Sequence, residues 1–89
     1  FYARVAGESM QGAGLDDGDL LVIDRSKEPQ DNNIAVCFID GEFTVKRIKV
    51  EKDCLWLVAE NPKYQPIKVT EENDFTIWGM VTNVIKSVY

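Results

Sequence analysis

Short apolar runs separated by turn-forming residues make up this 89-residue chain. Seven runs have the length and the Val, Ile, Thr and aromatic content of β-strands. They are YARVAG (2–7), LLVID (20–24), IAVCFI (34–39), EFTVKRIKV (42–50), CLWLVAE (54–60), IKV (67–69) and FTIWGMVTNVI (75–85). Helical periodicity is almost absent, and one short helical turn is expected over Met10–Ala13. The pattern predicts a single all-β domain over residues 1–89.

The residues between the runs indicate how the strands connect. Asp40–Gly41 separates two runs by two residues, which is typical of a hairpin with a type I′ turn. The acids of GLDDGD (14–19) and TEEND (70–74) are interpreted as turn residues, because Asp and Gly tolerate tight turns. Gly79 interrupts the last run and predicts a β-bulge there.

Composition and charge argue against several classes of function. The net charge is −5, which argues against nucleic acid as a direct ligand, because phosphate binding depends on Lys and Arg. The basic run KRIKVEK (46–52) is interpreted as a solvated strand face, with a phosphate-binding patch as the alternative. No apolar run is long enough to span a membrane, and the N-terminus has no signal-peptide pattern, so a cytoplasmic domain is expected.

The cysteine and histidine counts exclude common metal sites. The chain has no histidine and only two cysteines, Cys37 and Cys54, so no usual zinc site can form and no cofactor is expected. Both cysteines lie in strand-like apolar contexts, where a free thiol behaves as a small hydrophobic side chain. We expect both to be free thiols, although a structural pair is the alternative.

The run over residues 42–50 contains Lys46, which lies among apolar and hydroxyl side chains. Side chains alternate faces along a strand, so Thr44, Lys46 and Ile48 share one face. Strand lysines usually extend to solvent, but a lysine that cannot do so has a lowered pKa and can act as a general base. The neighbouring Arg47 cannot take that role, because guanidinium stays protonated.

A serine near the start of the chain is the matching candidate nucleophile. Ser9 lies in the small-residue bend RVAGESMQGAG (4–14), and a chain without histidine leaves an amine as its activating base. A Ser–Lys pair is a known arrangement, in which the oxyanion would be held by backbone N–H groups of the bend. Thr44 could orient the amine of Lys46. The alternative is that Ser9 is a structural bend residue and Lys46 a solvated strand residue.

Ordered sequence blocks resemble the self-cleaving peptidase domain of LexA and UmuD, the peptidase S24 family. The blocks are GESM (7–10), GLDDGDLLVID (14–24), DGEFTVKRI (40–48), AENPKYQPI (59–67) and FTIWGMVTNVI (75–85). The likeness covers essentially the whole chain. DGEFTVKR and the WGMVTNVI ending are more similar to UmuD than to LexA.

This resemblance implies a fold and an activity. The fold is an all-β domain of strongly bent antiparallel sheets, as in LexA and signal peptidases. The activity is autocatalytic serine endopeptidase cleavage, with Ser9 as nucleophile and Lys46 as general base. The implied setting is the SOS response to DNA damage, in which a RecA–single-stranded DNA filament stimulates self-cleavage of a homodimer. In UmuD-like proteins the processed form becomes an accessory subunit of a translesion DNA polymerase.

Two further interpretations remain open on the sequence. One is the C-terminal dimerisation and cleavage domain of a LexA-like or phage repressor, whose upstream segment would bind DNA. The other is a signal peptidase, which would need a membrane anchor. The chain begins without Met, so an upstream arm carrying the cleaved bond is expected; Ala6–Gly7 lies too close to Ser9 to serve as that bond.

Overall fold

Seven antiparallel strands form the protein, which a computed structural model describes over residues 1–88. The strands are β1 (Tyr2–Arg4), β2 (Leu20–Asp24), β3 (Ile34–Ile39), β4 (Glu42–Val50), β5 (Leu55–Val58), β6 (Ile67–Val69) and β7 (Phe75–Ile85). They make one sheet in the order β1-β2-β7-β3-β4-β5-β6, and every pairing is antiparallel. The predicted all-β class is confirmed, and the predicted helical turn is a 3-10 helix over Gln11–Ala13.

The β3–β4 hairpin has the predicted turn. Ile39 pairs with Glu42, so Asp40 and Gly41 alone form the loop. Their φ angles are 49° and 90°, and a type I′ turn requires positive φ at both central residues. This two-residue loop fixes the register between β3 and β4. It therefore determines on which face of the sheet each β4 side chain lies.

The β-bulge predicted at Gly79 is present, but the unpaired residue is Trp78, which precedes it. Val36 pairs with Gly79 and Cys37 with Ile77, which leaves Trp78 without a partner residue on β3. Gly79 itself is required by close packing, since a Cβ there would lie 2.6 Å from Ile23 Cγ2. A bulge of this kind bends the strand and increases its local twist.

Two clusters of buried apolar side chains form the core. The first contains Val5, Met10, Leu15, Leu21, Ile23 and Val36. The second contains Ala35, Cys37, Ile48 and Leu57. Met10, in the bend after Ser9, is only 2% exposed, so the candidate nucleophile is followed directly by a side chain that anchors the bend in the core. Cys37 and Cys54 are free thiols, as predicted.

Candidate active site

Ser9 lies in the connection between β1 and β2, which folds back on the acidic turn before β2. The Gly7 N–H donates to Asp17 Oδ1 at 2.8 Å, and Gly7 has a φ of +89° that a side chain would disfavour. The Val5 N–H donates to the Asp19 carbonyl at 2.8 Å, which extends the contact between the two segments. The acidic turn thus holds the chain that leads into Ser9.

A second loop holds the chain on both sides of Ser9. Asn61 Nδ2 donates to the Glu8 carbonyl at 2.8 Å, immediately before the serine. The Gly12 N–H donates to the Glu60 carbonyl at 2.7 Å, shortly after it. Gly12 is needed for this approach, because a Cβ on it would lie 2.6 Å from that same carbonyl oxygen. The loop residues Glu60 and Asn61 therefore hold the serine bend on both sides of Ser9.

The hairpin strand β4 brings Lys46 to this bend. Lys46 Nζ lies 3.1 Å from Ser9 Oγ, across 37 residues of sequence. It also lies 2.6 Å from Thr44 Oγ1 and 3.2 Å from the Val45 carbonyl oxygen. The two oxygens on β4 orient the amine toward the serine. The two sequence-predicted site residues are thus brought together, and Thr44 contacts the amine as the sequence suggested.

The surroundings of Lys46 disfavour its charged form. Burial lowers the pKa of Lys46 below its ordinary value of 10.5, since desolvation costs more for the ammonium than for the amine. Cys37 is fully buried, and burial raises the pKa of its thiol to about 11, so it is neutral at physiological pH. No carboxylate forms an ion pair with Lys46 within residues 1–88. The amine is therefore available to accept a proton.

Backbone donors next to Ser9 are free to bind an anion. The N–H groups of Ser9 and Met10 make no hydrogen bond to another of the described residues. Both lie at the bend between β1 and the 3-10 helix, outside the sheet ladder. Donors of this kind, held in place before the reaction, stabilise the oxyanion of an acyl-transfer intermediate.

The Ser9–Lys46 pair lies in a cleft of about 480 Å³. Strand β1 lines one part of this cleft, and Phe43, Trp78 and Val36 contribute apolar surface to it. Such a volume and mostly apolar lining suit a short stretch of polypeptide.

Residues of the basic run and of the acidic turn form contacts within the domain. In the basic run over residues 46–52, Arg47 Nε lies 2.5 Å from Glu60 Oε1, and Lys49 Nζ bonds to Asn32 Oδ1. The acidic turn binds Lys86, which lies 2.9 Å from Asp16 Oδ2 and also contacts Asp19 Oδ2. The turn interpretation of these acids holds, but the sequence did not indicate that they support the serine bend.

The described part of the chain has neither a metal cluster nor a membrane-spanning helix. Within residues 1–88, no group of three or more His, Cys, Asp or Glu side chains could hold a metal ion. Over the same residues, no helix has the length and apolarity needed to cross a membrane.

Residues 1–82 match the family described as Peptidase S24-like. A LexA repressor of Ectopseudomonas mendocina (strain ymp) is 42% identical over 87 residues, which cover 97% of this chain and 43% of that relative. Protein ImpA of Salmonella typhimurium is 42% identical over 86 residues, covering 96% of this chain and 57% of that protein. A LexA repressor of Oleidesulfovibrio alaskensis is 41% identical over 81 residues, covering 91% of this chain and 39% of the relative.

The chain therefore belongs to the Peptidase S24-like family. It spans about half the length of the curated relatives it matches. A LexA repressor and a Protein ImpA are both among them, at the same 42% identity.

Proposed function

We propose that this domain is a self-cleaving serine peptidase of the SOS response, with Ser9 as nucleophile and Lys46 as general base. The observation that carries the proposal is the 3.1 Å contact between Ser9 Oγ and a half-buried Lys46 Nζ that has no acidic partner within residues 1–88. Membership of the Peptidase S24-like family supports the same reaction class.

The proposed reaction has two steps. Neutral Lys46 takes the proton of Ser9 Oγ as that oxygen attacks the carbonyl carbon of the scissile peptide bond. The N–H groups of Ser9 and Met10 hold the oxyanion of the tetrahedral intermediate. Its collapse breaks the C–N bond, the Lys46 ammonium protonates the leaving amine, and an ester remains on Ser9. Water then attacks the ester with Lys46 again as base, which releases the new carboxyl end and restores the Ser9 hydroxyl.

We further propose a homodimer. Strand β3 pairs with β7 over Phe75–Met80, so within residues 1–88 the segment 81–85 is paired with β2 on one side and has no strand on the other. Val84 and Ile85 on this segment are 38% and 51% exposed. A second copy could pair with the open edge and cover these side chains, because an exposed edge is a template for strand addition.

The two candidate settings differ in what lies upstream and what happens after cleavage. In the UmuD-type setting, a RecA filament stimulates cleavage, and the processed domain joins a translesion DNA polymerase. In the alternative, this is the C-terminal dimerisation and cleavage domain of a LexA-like repressor. The 42% identity to a LexA repressor favours the alternative as much as the likeness of DGEFTVKR to UmuD favours the first. A short arm upstream in the complete gene product would support the first setting, and a helix-turn-helix domain the second.

The catalytic assignment is tested in the complete gene product. Ser9→Ala and Lys46→Ala should each abolish self-cleavage at alkaline pH while the circular dichroism spectrum stays that of a folded β domain. Thr76→Ala, at an exposed position of β7 outside both the cleft lining and the proposed dimer edge, is the matched control for an alanine substitution and should cleave like the wild type. Undiminished cleavage by Lys46→Ala would refute the Ser–Lys pair.

A further inference from the structure

Asn61 bridges its own loop and the peptide unit that precedes the candidate nucleophile. Its Oδ1 accepts from the Lys63 N–H at 3.0 Å, and its Nδ2 donates to the Glu8 carbonyl at 2.8 Å. Exchanging the amide oxygen and nitrogen would oppose donor to donor and acceptor to acceptor, so the two contacts fix the orientation of the amide. The contact with Lys63 thus fixes the Asn61 side chain, so that its Nδ2 donates to the Glu8 carbonyl.

The contact determines where the Ser9 N–H is directed. The Glu8 carbonyl and the Ser9 N–H belong to one planar trans peptide unit, in which they point in opposite directions. A donor that holds the carbonyl therefore also sets the direction of the N–H. Ser9 lines the cleft, whereas Glu8 and Asn61 do not, and the Ser9 N–H has no acceptor among the described residues.

Two neighbouring contacts hold the Glu8–Ser9 peptide unit in place relative to Lys46. The Gln11 N–H also reaches the Glu8 carbonyl, at 3.3 Å, which adds a weaker hold from within the bend. Glu60, next to Asn61, accepts from Arg47 Nε at 2.5 Å. Because Arg47 follows Lys46 on β4, the loop that carries Asn61 is tied to the strand that carries the amine.

We propose that Asn61 is a positioning residue for the oxyanion site: by holding the Glu8 carbonyl it directs the Ser9 N–H into the cleft. Asn61 would act through the backbone and would touch neither substrate nor base. This inference rests on the proposed function for its effect on cleavage, but its geometric part is independent of activity.

The test compares two substitutions that change the same atoms and charge. Asn61→Asp keeps the Oδ1 acceptor for Lys63 and replaces the donor to Glu8 by an oxygen. Asn33→Asp is the control: Asn33 Oδ1 accepts from the Gln30 N–H at 2.8 Å, and its Nδ2 has no partner within residues 1–88. Asn61→Ser is a second variant, since its hydroxyl can keep the turn but is too short to replace the long amide donor.

Two measurements are made on each variant. Residual dipolar couplings report the direction of the Ser9 N–H in the 89-residue domain, and self-cleavage across pH is followed in the complete gene product. We expect Asn61→Asp and Asn61→Ser to change the Ser9 coupling and to lower the maximal cleavage rate about ten- to a hundredfold, somewhat less than deletion of an oxyanion donor. The pH midpoint of cleavage in Asn61→Ser should stay at the wild-type value, because this variant leaves Lys46 untouched and adds no charge near it. Asn33→Asp should match the wild type in both measurements.

The outcomes separate this inference from the proposed function. A wild-type Ser9 coupling in both Asn61 variants would overturn the inference, as would a maximal rate equal to that of Asn33→Asp. A shifted pH midpoint in the uncharged variant Asn61→Ser would also overturn it, since Asn61 would then act on the base. If the wild-type gene product does not cleave itself at any pH, the proposed function fails, and the Ser9 coupling alone decides whether Asn61 directs the N–H.

Discussion

Lys46 and Lys86 occupy opposite electrostatic surroundings in the same small domain. Lys46 is half-buried, and its hydrogen bonds within residues 1–88 go to hydroxyl and carbonyl oxygens. Desolvation lowers its pKa. Lys86 is 44% exposed on its side chain and bonds to Asp19 and Asp16, and these hydrogen bonds raise its pKa. One lysine is prepared to lose its proton and the other to keep it.

The difference shows what suits a lysine to each task. A paired ammonium strengthens a contact between two segments, here the end of β7 and the acidic turn before β2. An ammonium without an acid is unfavourable in a half-buried place, so the folded chain gives up stability to hold an amine beside Ser9. A desolvated charge of this kind is typical of functional sites.

The same substitution at both positions should give the largest contrast. Arginine keeps the positive charge but cannot release its proton. Lys46→Arg should therefore lower self-cleavage of the complete gene product by about a thousandfold or more, as loss of a general base does. Lys86→Arg should cleave within about threefold of the wild type, because its ion pairs are retained. Equal rates in the two variants would remove the distinction between the lysines.

The pH dependence of cleavage should report Lys46 alone. The rate should rise with pH as the Lys46 ammonium loses its proton, with a midpoint below 10.5, and then level off. Lys86→Met should give the same midpoint, because Lys86 takes no part in the reaction. A midpoint at or above 10.5 would contradict the assigned environment of Lys46.

Removal of each charge should change stability in opposite directions. Between its folded pKa and 10.5, Lys46 binds more protons in the unfolded chain, so stability rises with pH in that window and is lowest below it. Lys46→Met should therefore raise the free energy of unfolding at pH 7, because it removes a charge that burial disfavours. Lys86→Met should lower it. Urea unfolding of the 89-residue domain measures both, and a loss of stability in Lys46→Met would count against a desolvated charge.

Acid and salt should affect the Lys86 region selectively, with the smallest effects. The hydrogen bond from Lys86 holds the pKa of Asp19 below 3.8, so its contribution is present above that value and is lost as pH falls through the folded pKa. High salt should weaken this exposed contact by screening it. Urea midpoints of wild type and Lys86→Met should therefore converge at low pH and in molar salt. A difference that persists under both conditions would show that Lys86 acts through packing.

Local patterns in the sequence predicted the strands and offered Ser9 and Lys46 as candidates, and the family resemblance implied their roles. Neither predicted the contacts that support the pair. Alternation along residues 42–50 placed Thr44 and Lys46 on one face, and Asp40–Gly41 predicted the turn that fixes their register. Strands β1 and β5 end earlier than predicted, at Arg4 and Val58, because the chain leaves the ladder to form the serine bend and its supporting loop.

The supporting contacts carry no local signature. In the sequence, Asn61 and Asp17 lie in stretches typical of turns. Both residues do lie in connections between strands. Their contacts with Glu8 and Gly7 join segments 53 and 10 residues apart. Such pairings depend on the sheet order β1-β2-β7-β3-β4-β5-β6, which alternation along single strands does not determine.

Direct titration of both lysines is the measurement closest to the central claim. NMR of lysine ε-carbons labelled with ¹³C gives each side-chain pKa in the 89-residue domain without reference to cleavage, with Lys46→Arg and Lys86→Arg assigning the signals. The account predicts a pKa below 10.5 for Lys46 and above 10.5 for Lys86. A pKa of 10.5 or more for Lys46 would contradict its assignment as a general base prepared by burial.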